Sequence, residues 1–126
     1  MLYALRAGYR HIDTASFYEN EAEIGRALKK GMKELGLKRE DIFVTTKLYS
    51  DSKNAKQGLR DSLRRLKLKY VDLYLIHWPW KNRVSLWKEL EKMVGKGKCR
   101  AIGVSNFMIP HLEHFLKECK IVPAMN

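Results

Sequence analysis

Cysteine is scarce in this sequence: Cys99 and Cys119 are the only two among 126 residues. Two cysteines are too few for the disulfide framework of a small secreted domain, so we expect a reducing, cytoplasmic setting. The chain also lacks any apolar run near the roughly 20 residues of a membrane-spanning helix. Its first ten residues, MLYALRAGYR, have no basic start followed by an apolar block, which a signal peptide would have. We therefore expect a cytoplasmic globular protein that does not associate with a membrane.

Glycine-rich loops and metal-binding clusters are also missing. No strand-like segment is followed by G-x-G-x-x-G, so a dinucleotide-binding fold of the Rossmann type has little support. The one histidine pair at short spacing, His111 and His114, lies on a predicted helix without the further ligands that a metal site needs. We expect both histidines on the surface and predict no metal.

Acidic residues are outnumbered, with 14 Asp and Glu against 25 Lys and Arg and a net charge of +11. Such a charge is compatible with a nucleic acid, with an anionic small ligand, or with no charged partner. The basic residues cluster in RALKKGMK, RDSLRRLKLK and KGKCR, which lie on predicted helices and their ends. A solvated helix face is the simplest interpretation. No aromatic residues interleave them as in base-stacking modules, so we predict no nucleic-acid partner.

Strand-like and helix-like segments alternate along the whole chain. The apolar, β-branched segments predict five strands, at residues 10–15, 42–48, 71–78, 100–107 and 121–126. Apolar residues at helical spacing predict four helices between them, preceded by a short helix at the start. Asn20 and Glu23 are expected to form a capping box on the first long helix. This alternation predicts one α/β domain over residues 1–126, with a parallel sheet that is either open or closed into a barrel.

Polar side chains stand near the ends of four predicted strands. They are Asp13, Lys47, His77 and the pair Ser105 and Asn106. Each has an ordinary structural explanation when taken alone, such as a solvated lysine, a core histidine or a turn residue. In a parallel sheet, however, all carboxyl ends lie at one edge, and enzymes of this architecture place their chemistry there. We therefore expect these residues to form a common site.

Tyr18 follows the first of these strands and extends the set to an acid, a phenol, an ammonium and an imidazole. A free tyrosine hydroxyl has a pKa of about 10, and a nearby ammonium favours its phenolate form. A carboxylate paired with the ammonium keeps it charged and in place. A histidine beside the phenol can hydrogen-bond a substrate oxygen. Together these groups suit protonation of a carbonyl oxygen as hydride reaches its carbon, without a metal.

The motifs GYRHIDTASFYENEAEIGRAL, VTTKL, LIHWP and GVSNF occur in this order along the chain. In that order they closely resemble the aldo-keto reductase family. The resemblance implies a (β/α)8 TIM barrel, of which this chain supplies about five strands and four to five helices. It also implies NADPH-dependent reduction of aldehydes or ketones to alcohols.

The resemblance also implies a role for each catalytic residue. Tyr18 would be the general acid, and Lys47 would assist it as the neighbouring ammonium. Asp13 would pair with Lys47 and lie near the nicotinamide ribose of the cofactor. His77 would orient the substrate carbonyl.

Binding residues are implied in the same way. Ser105 and Asn106 would hold the nicotinamide carboxamide, and Asp13 would complete this part of the cofactor site. Trp78, His77 and, more weakly, Phe17 would form the substrate pocket.

The chain differs from the family pattern in length. A full barrel takes roughly 250 residues, and this sequence matches the pattern only from the first helix to the sixth strand. We therefore expect the whole proton-transfer set but only part of the cofactor site. Two alternatives to an active reductase stay open: a catalytically weak cofactor-binding or accessory protein, and a fragment that is inactive alone. The physiological substrate and the oligomeric state stay open as well.

Overall fold

The computed structural model describes residues 1–49 and 54–126. Within these ranges strands and helices alternate, and two single-turn 3₁₀ helices lie in loops, at Ser16–Tyr18 and Arg39–Asp41. The other elements are α1 (Leu2–Arg6), β1 (His11–Asp13), α2 (Glu21–Leu35), β2 (Phe43–Leu48), α3 (Ala55–Leu66), β3 (Val71–Ile76), α4 (Arg83–Val94), β4 (Cys99–Val104) and α5 (Ile109–Leu116).

The strands form one parallel sheet in the order β1-β2-β3-β4. The register pairs Asp13 with Thr45, Lys47 with Leu75, and Ile76 with Val104. The predicted parallel α/β architecture is therefore confirmed. Because every strand runs the same way, all their carboxyl ends meet at one edge.

The predicted fifth strand, residues 121–126, is not a strand in the structure. Its backbone nevertheless lies beside β4, because Val104 N donates to the Met125 carbonyl at 3.0 Å and Ala124 N donates to the Ile102 carbonyl at 2.9 Å. Pro123 has no amide hydrogen to extend this pairing. The described residues thus contain four strands and an extended segment that continues the sheet.

Apolar residues of the helices pack on the sheet as their spacing predicts. Leu59, Leu63 and Leu66 of α3 are buried, and Trp87 of α4 lies edge-on to Phe115 of α5, with 5.1 Å between ring centroids. The interior also takes in the whole of β3, whose six residues are all buried. Such continuous burial is typical of a parallel strand that is covered on both faces.

Helices α2 and α3 approach each other closely at Gly25. A Cβ atom added there would lie only 2.5 Å from the Leu66 carbonyl oxygen. Only glycine therefore permits this helix–helix distance.

The start of α2 differs from the sequence prediction. Asn20 precedes the helix, but its side chain makes no capping bond. Its Oδ1 instead accepts a hydrogen bond from Thr14 Oγ1 at 2.7 Å, and Glu23 pairs with Arg26. The predicted capping box was wrong because Asn20 is used in a tertiary contact.

Among residues 1–49 and 54–126 no helix has the length and apolar character that crossing a bilayer requires. The same residues contain no group of three or more His, Cys, Asp or Glu side chains arranged to hold a metal ion.

Candidate active site

The parallel register gathers the predicted site residues at one edge of the sheet. Asp13 ends β1, Lys47 is the penultimate residue of β2, and His77 directly follows β3. Ser105 and Asn106 directly follow β4. The expected common location at the carboxyl ends of the strands is what the structure shows.

Lys47 and Asp13 form an ion pair across the first two strands. The Lys47 side chain is only 8% exposed, whereas that of Asp13 is 53% exposed. Lys47 Nζ also donates to the Thr14 carbonyl at 3.1 Å. A nearly buried ammonium requires such partners, because an unpaired charge in the interior is costly. The lysine is thus fixed in place by one carboxylate and one carbonyl.

Tyr18 reaches this ion pair from the loop between β1 and α2. The loop is attached to β2 because Ser16 Oγ donates to the Lys47 carbonyl at 3.0 Å. Lys47 Nζ lies 5.2 Å from the centroid of the Tyr18 ring, within the range of a cation–π contact. The Tyr18 side chain is half-exposed, so its ring can meet both the ammonium and a small molecule from solvent.

His77 completes the group on the other side of Tyr18. The two ring centroids are 5.8 Å apart and the rings are nearly perpendicular, at 83°. His77 is buried, and its Nδ1 has no hydrogen-bond partner among the residues that the structure describes. Burial lowers the pKa of His77, and the Lys47 charge lowers it further, while Asp13 opposes the shift. The lowered pKa favours the neutral imidazole, which has one N–H donor and one acceptor nitrogen.

Asn106 connects the end of β4 to the end of β3. Its backbone is left-handed, with φ of 61°. Its Nδ2 donates to the His77 carbonyl at 2.9 Å and to Ser105 Oγ at 3.1 Å. Because the amide nitrogen is used in this way, Oδ1 is left as an acceptor. A carboxylate, a hydroxyl and an amide oxygen at this edge, from Asp13, Ser105 and Asn106, suit the sugar hydroxyls and carboxamide of a nicotinamide cofactor.

Exposed aromatic side chains lie next to the buried His77. Phe17 and Trp78 are both exposed, and their ring centroids lie 6.2 Å and 5.9 Å from that of His77. Phe17 also stacks on Tyr49 at 4.6 Å, and Tyr49 meets the edge of Trp80 at 6.1 Å. Tyr49 and Trp80 were not predicted. The signal available in the sequence was that each lies within three residues of a predicted site residue, Lys47 or His77.

Several supporting residues were also missed. Asn126 makes two hydrogen bonds to the backbone of Phe107, accepting from its amide at 3.1 Å and donating to its carbonyl at 2.8 Å. These bonds hold the segment directly after Asn106. Thr14, Thr46 and Glu21 are buried polar residues that hold the Tyr18 loop and β2 together. Nothing in the local sequence pattern distinguishes them from surface polar residues.

Seven of the 25 Lys and Arg residues line a groove away from the candidate site. This groove of about 530 Å³ between α3 and α4 is lined by apolar side chains and by seven cations, and none of the predicted site residues borders it. The cations are Lys56, Arg60, Arg64, Lys67, Lys69, Lys96 and Lys98. The prediction that the chain has no nucleic-acid partner stays a prediction.

The sequence of this chain is similar to those of known proteins of one family. The family model described as the aldo/keto reductase family matches residues 1–126. Among curated proteins, the chain is 46% identical over 127 residues to glyoxal reductase of Bacillus subtilis, covering 98% of this chain and 45% of the relative. It is 47% identical to methylglyoxal reductase DkgA of Yersinia pestis, again covering 98% of this chain and 44% of the relative. The chain thus spans less than half the length of these relatives.

Solved structures of similar proteins superpose on nearly the whole of this chain. The aldose reductase from Schistosoma japonicum superposes with a TM-score of 0.92 at 39% identity, covering 98% of this chain and 50% of the other. A Bombyx mori aldo-keto reductase in complex with NADP superposes with a TM-score of 0.90 at 35% identity, covering 97% and 44% respectively.

Proposed function

The chain belongs to the aldo/keto reductase family, and we propose that it carries the catalytic half of an NADPH-dependent reductase that converts aldehydes or ketones to alcohols. Its four parallel strands and their helices are about half of a (β/α)8 barrel, in keeping with the predicted TIM barrel. Because relatives are about twice as long, activity and cofactor are proposed for a complete barrel that contains these residues.

The observation that carries the proposal is the contact chain from Asp13 through Lys47 to Tyr18. The ammonium that pairs with Asp13 is also the one that lies 5.2 Å from the Tyr18 ring centroid. Because the Lys47 ammonium is nearly buried and held in place, it stabilises negative charge that develops nearby. The phenol oxygen acquires that charge when it gives up its proton. Tyr18 is therefore proposed as the general acid, and Lys47 as the group that assists it.

The proposed reaction transfers one proton and one hydride to a carbonyl group. NADPH, when bound, supplies the hydride to the carbonyl carbon. Tyr18 gives its hydroxyl proton to the carbonyl oxygen, which becomes the alcohol, and the resulting phenolate is reprotonated from solvent. A neutral His77 donates a hydrogen bond to the same carbonyl oxygen and orients it toward Tyr18, whereas an imidazolium there would add a second positive charge beside Lys47.

Cofactor and substrate are proposed to meet at the edge formed by the strand ends. Asp13, Ser105 and Asn106 would hold the nicotinamide end, with a hydroxyl and an amide oxygen available to its carboxamide. Phe17 and Trp78 would form the substrate pocket on either side of His77. Their exposed rings suit a small substrate with an apolar part.

The experiment uses a chimera, because this chain spans less than half the length of these relatives. In Bacillus subtilis glyoxal reductase, the segment that matches this chain is replaced by the corresponding residues of this chain. NADPH oxidation is then followed with a panel of aldehydes and ketones that includes glyoxal and methylglyoxal, the compounds for which two relatives are named. Substrate-dependent NADPH oxidation supports the proposal. A folded chimera that binds NADPH without turnover supports a cofactor-binding or accessory role instead.

A further inference from the structure

We infer that Glu21 is a positioning residue that holds the Tyr18 loop over Lys47; the inference rests on the proposed function. Glu21 is the first residue of α2 and follows Tyr18 by three positions. It is one of the few charged residues whose side chain is completely buried, at 0% exposure. A buried carboxylate is expensive unless every oxygen has a partner, so its presence calls for an explanation.

Each carboxylate oxygen of Glu21 accepts a hydrogen bond from a different element. Thr46 Oγ1 of β2 donates to Oε1 at 2.6 Å, and Arg65 Nε of α3 donates to Oε2 at 2.7 Å. Thr46 directly precedes Lys47 on the same strand. The helix that follows the Tyr18 loop is therefore attached to the strand that carries the ammonium, one residue away from it.

Packing between α2 and α3 makes the Arg65 contact possible. The two helices approach closely at Gly25, where the neighbouring backbone is that of Arg65 and Leu66. The carboxylate also lies in the first turn of α2, where the helix macrodipole favours negative charge. These two features offset part of the cost of burying Glu21.

The other end of the loop is held by a second set of hydrogen bonds. Thr14 Oγ1 donates to Asn20 Oδ1 at 2.7 Å, and the Thr14 carbonyl accepts from Lys47 Nζ at 3.1 Å. Between these attachments Glu19 has a left-handed backbone, with φ of 53°, a conformation that is strained for a non-glycine residue. The surrounding contacts have to maintain this turn, and Tyr18 lies directly before it.

The chain contains a second buried carboxylate with arginine partners, which provides a matched control. Asp72 has a side-chain exposure of 2% and pairs with Arg39 at 2.7 Å and Arg100 at 3.2 Å. It also accepts from the Val44 amide at 2.9 Å. Asp72 lies near the start of β3, at the end of the sheet opposite the candidate site. Substitution of Asp72 thus tests the loss of a buried ion pair without a connection to Tyr18.

The experiment compares substitutions of Glu21, Thr46 and Asp72 in the chimera. Thr46→Val removes the hydroxyl and keeps the shape, whereas Thr46→Ser keeps the hydroxyl. Glu21→Gln keeps an acceptor for Thr46 and removes the charge. We measure kcat, KM, the Kd for NADPH and the melting temperature of each variant.

Thr46→Val and Glu21→Gln are expected to lower kcat about tenfold or more, because a small displacement of a reacting group has a large effect on rate. The Kd for NADPH should stay within about twofold, and Thr46→Ser should restore most of kcat. Asp72→Asn should lower the melting temperature and leave kcat of the folded protein unchanged.

Two failures are distinguishable. If the unsubstituted chimera reduces no carbonyl compound, the proposed function fails and this inference fails with it. If the chimera is active and Thr46→Val retains the kcat of the unsubstituted protein, or Asp72→Asn lowers kcat as much as Glu21→Gln, only the positioning role is overturned. Should Glu21→Gln fail to fold, the Thr46 pair still decides the matter, since it leaves every charge in place.

Discussion

Lys47 Nζ lies 5.2 Å from the centroid of the Tyr18 ring while it forms an ion pair with Asp13. The three side chains come from β2, from the loop after β1, and from the end of β1 itself. Their proximity follows from the parallel register, which brings the ends of neighbouring strands together. The relationship leads to predictions that separate what this ion pair does for catalysis from what it does for stability.

Replacement of Lys47 should separate activity from stability. Lys47→Met removes a nearly buried ammonium and fills its space with an apolar side chain, and the remaining Asp13 is half-exposed to water. The free energy of unfolding should therefore change by less than about 1 kcal/mol. Carbonyl reduction by the chimera should fall about 100-fold or more, because Tyr18 loses its neighbouring charge. Urea unfolding and steady-state kinetics measure the two quantities.

The opposite substitution provides the control for this pair. Asp13→Asn leaves the Lys47 ammonium nearly buried without its carboxylate, so it should cost about 3 kcal/mol of stability. A Lys47→Met variant that is less stable than Asp13→Asn would contradict this asymmetry and the burial pattern on which it depends.

Stability should depend on pH through His77. Its pKa is lowered in the folded protein relative to the ordinary value of 6.5, so below that pH the unfolded chain binds the proton more readily than the folded one. The stability that a neutral His77 provides is complete above the unfolded pKa and is lost as the pH falls toward the folded pKa. The difference in melting temperature between the chimera and its His77→Gln variant should therefore decrease as the pH is lowered through this window. A difference that is independent of pH would show that His77 does not titrate in this way.

Asn106 should respond differently to glycine and to alanine. Both substitutions remove the hydrogen bond to the His77 carbonyl, but only glycine adopts a φ of 61° without strain. Asn106→Ala should be less stable than Asn106→Gly by about 1 kcal/mol in chemical unfolding. Asn106 is proposed to bind the nicotinamide carboxamide, so both variants should raise the Kd for NADPH about tenfold. This is the effect expected from the loss of one or two hydrogen bonds between neutral groups. Equal stability of the two variants would contradict the role assigned to the backbone conformation.

The 126-residue chain by itself should bind NADPH weakly and turn over slowly. In the part of the chain that the structure describes, β1 pairs only with β2, and β4 pairs with β3 and with the short segment around Met125. Open edges of this kind promote association between chains, and only Asp13, Ser105 and Asn106 are proposed to hold the cofactor. Fluorescence titration with NADPH and an aldehyde assay test this expectation, and efficient reduction by the isolated chain would contradict it.

The sequence alone was sufficient to predict the parallel fold and the residues at the strand ends. Apolar, β-branched segments and helical spacings predict the elements, and parallel pairing then predicts that Asp13, Lys47 and His77 share an edge. The sequence was not sufficient to predict how residues 121–126 fold. They form no strand, because Pro123 limits their pairing with β4. The prediction also failed for Asn20, because its side chain has a tertiary partner, Thr14, that no local pattern reveals.

The burial of Glu21 could not be predicted from the sequence for a different reason. Glu21 in the sequence resembles an exposed residue of a first helical turn, which is the usual place for a glutamate. Its burial depends on Thr46, Arg65 and the close approach of α2 and α3, all of which are distant in the chain. Contacts between residues so far apart in the chain are not indicated by any local sequence pattern.

The most direct test of the central claim, that Tyr18 supplies the proton, is kcat of the Tyr18→Phe chimera measured alongside its Kd for NADPH. The substitution removes the hydroxyl and keeps the ring beside Lys47 and His77. We predict that kcat falls about 100-fold or more while the Kd for NADPH is unchanged. Turnover equal to that of the unsubstituted chimera would contradict the account.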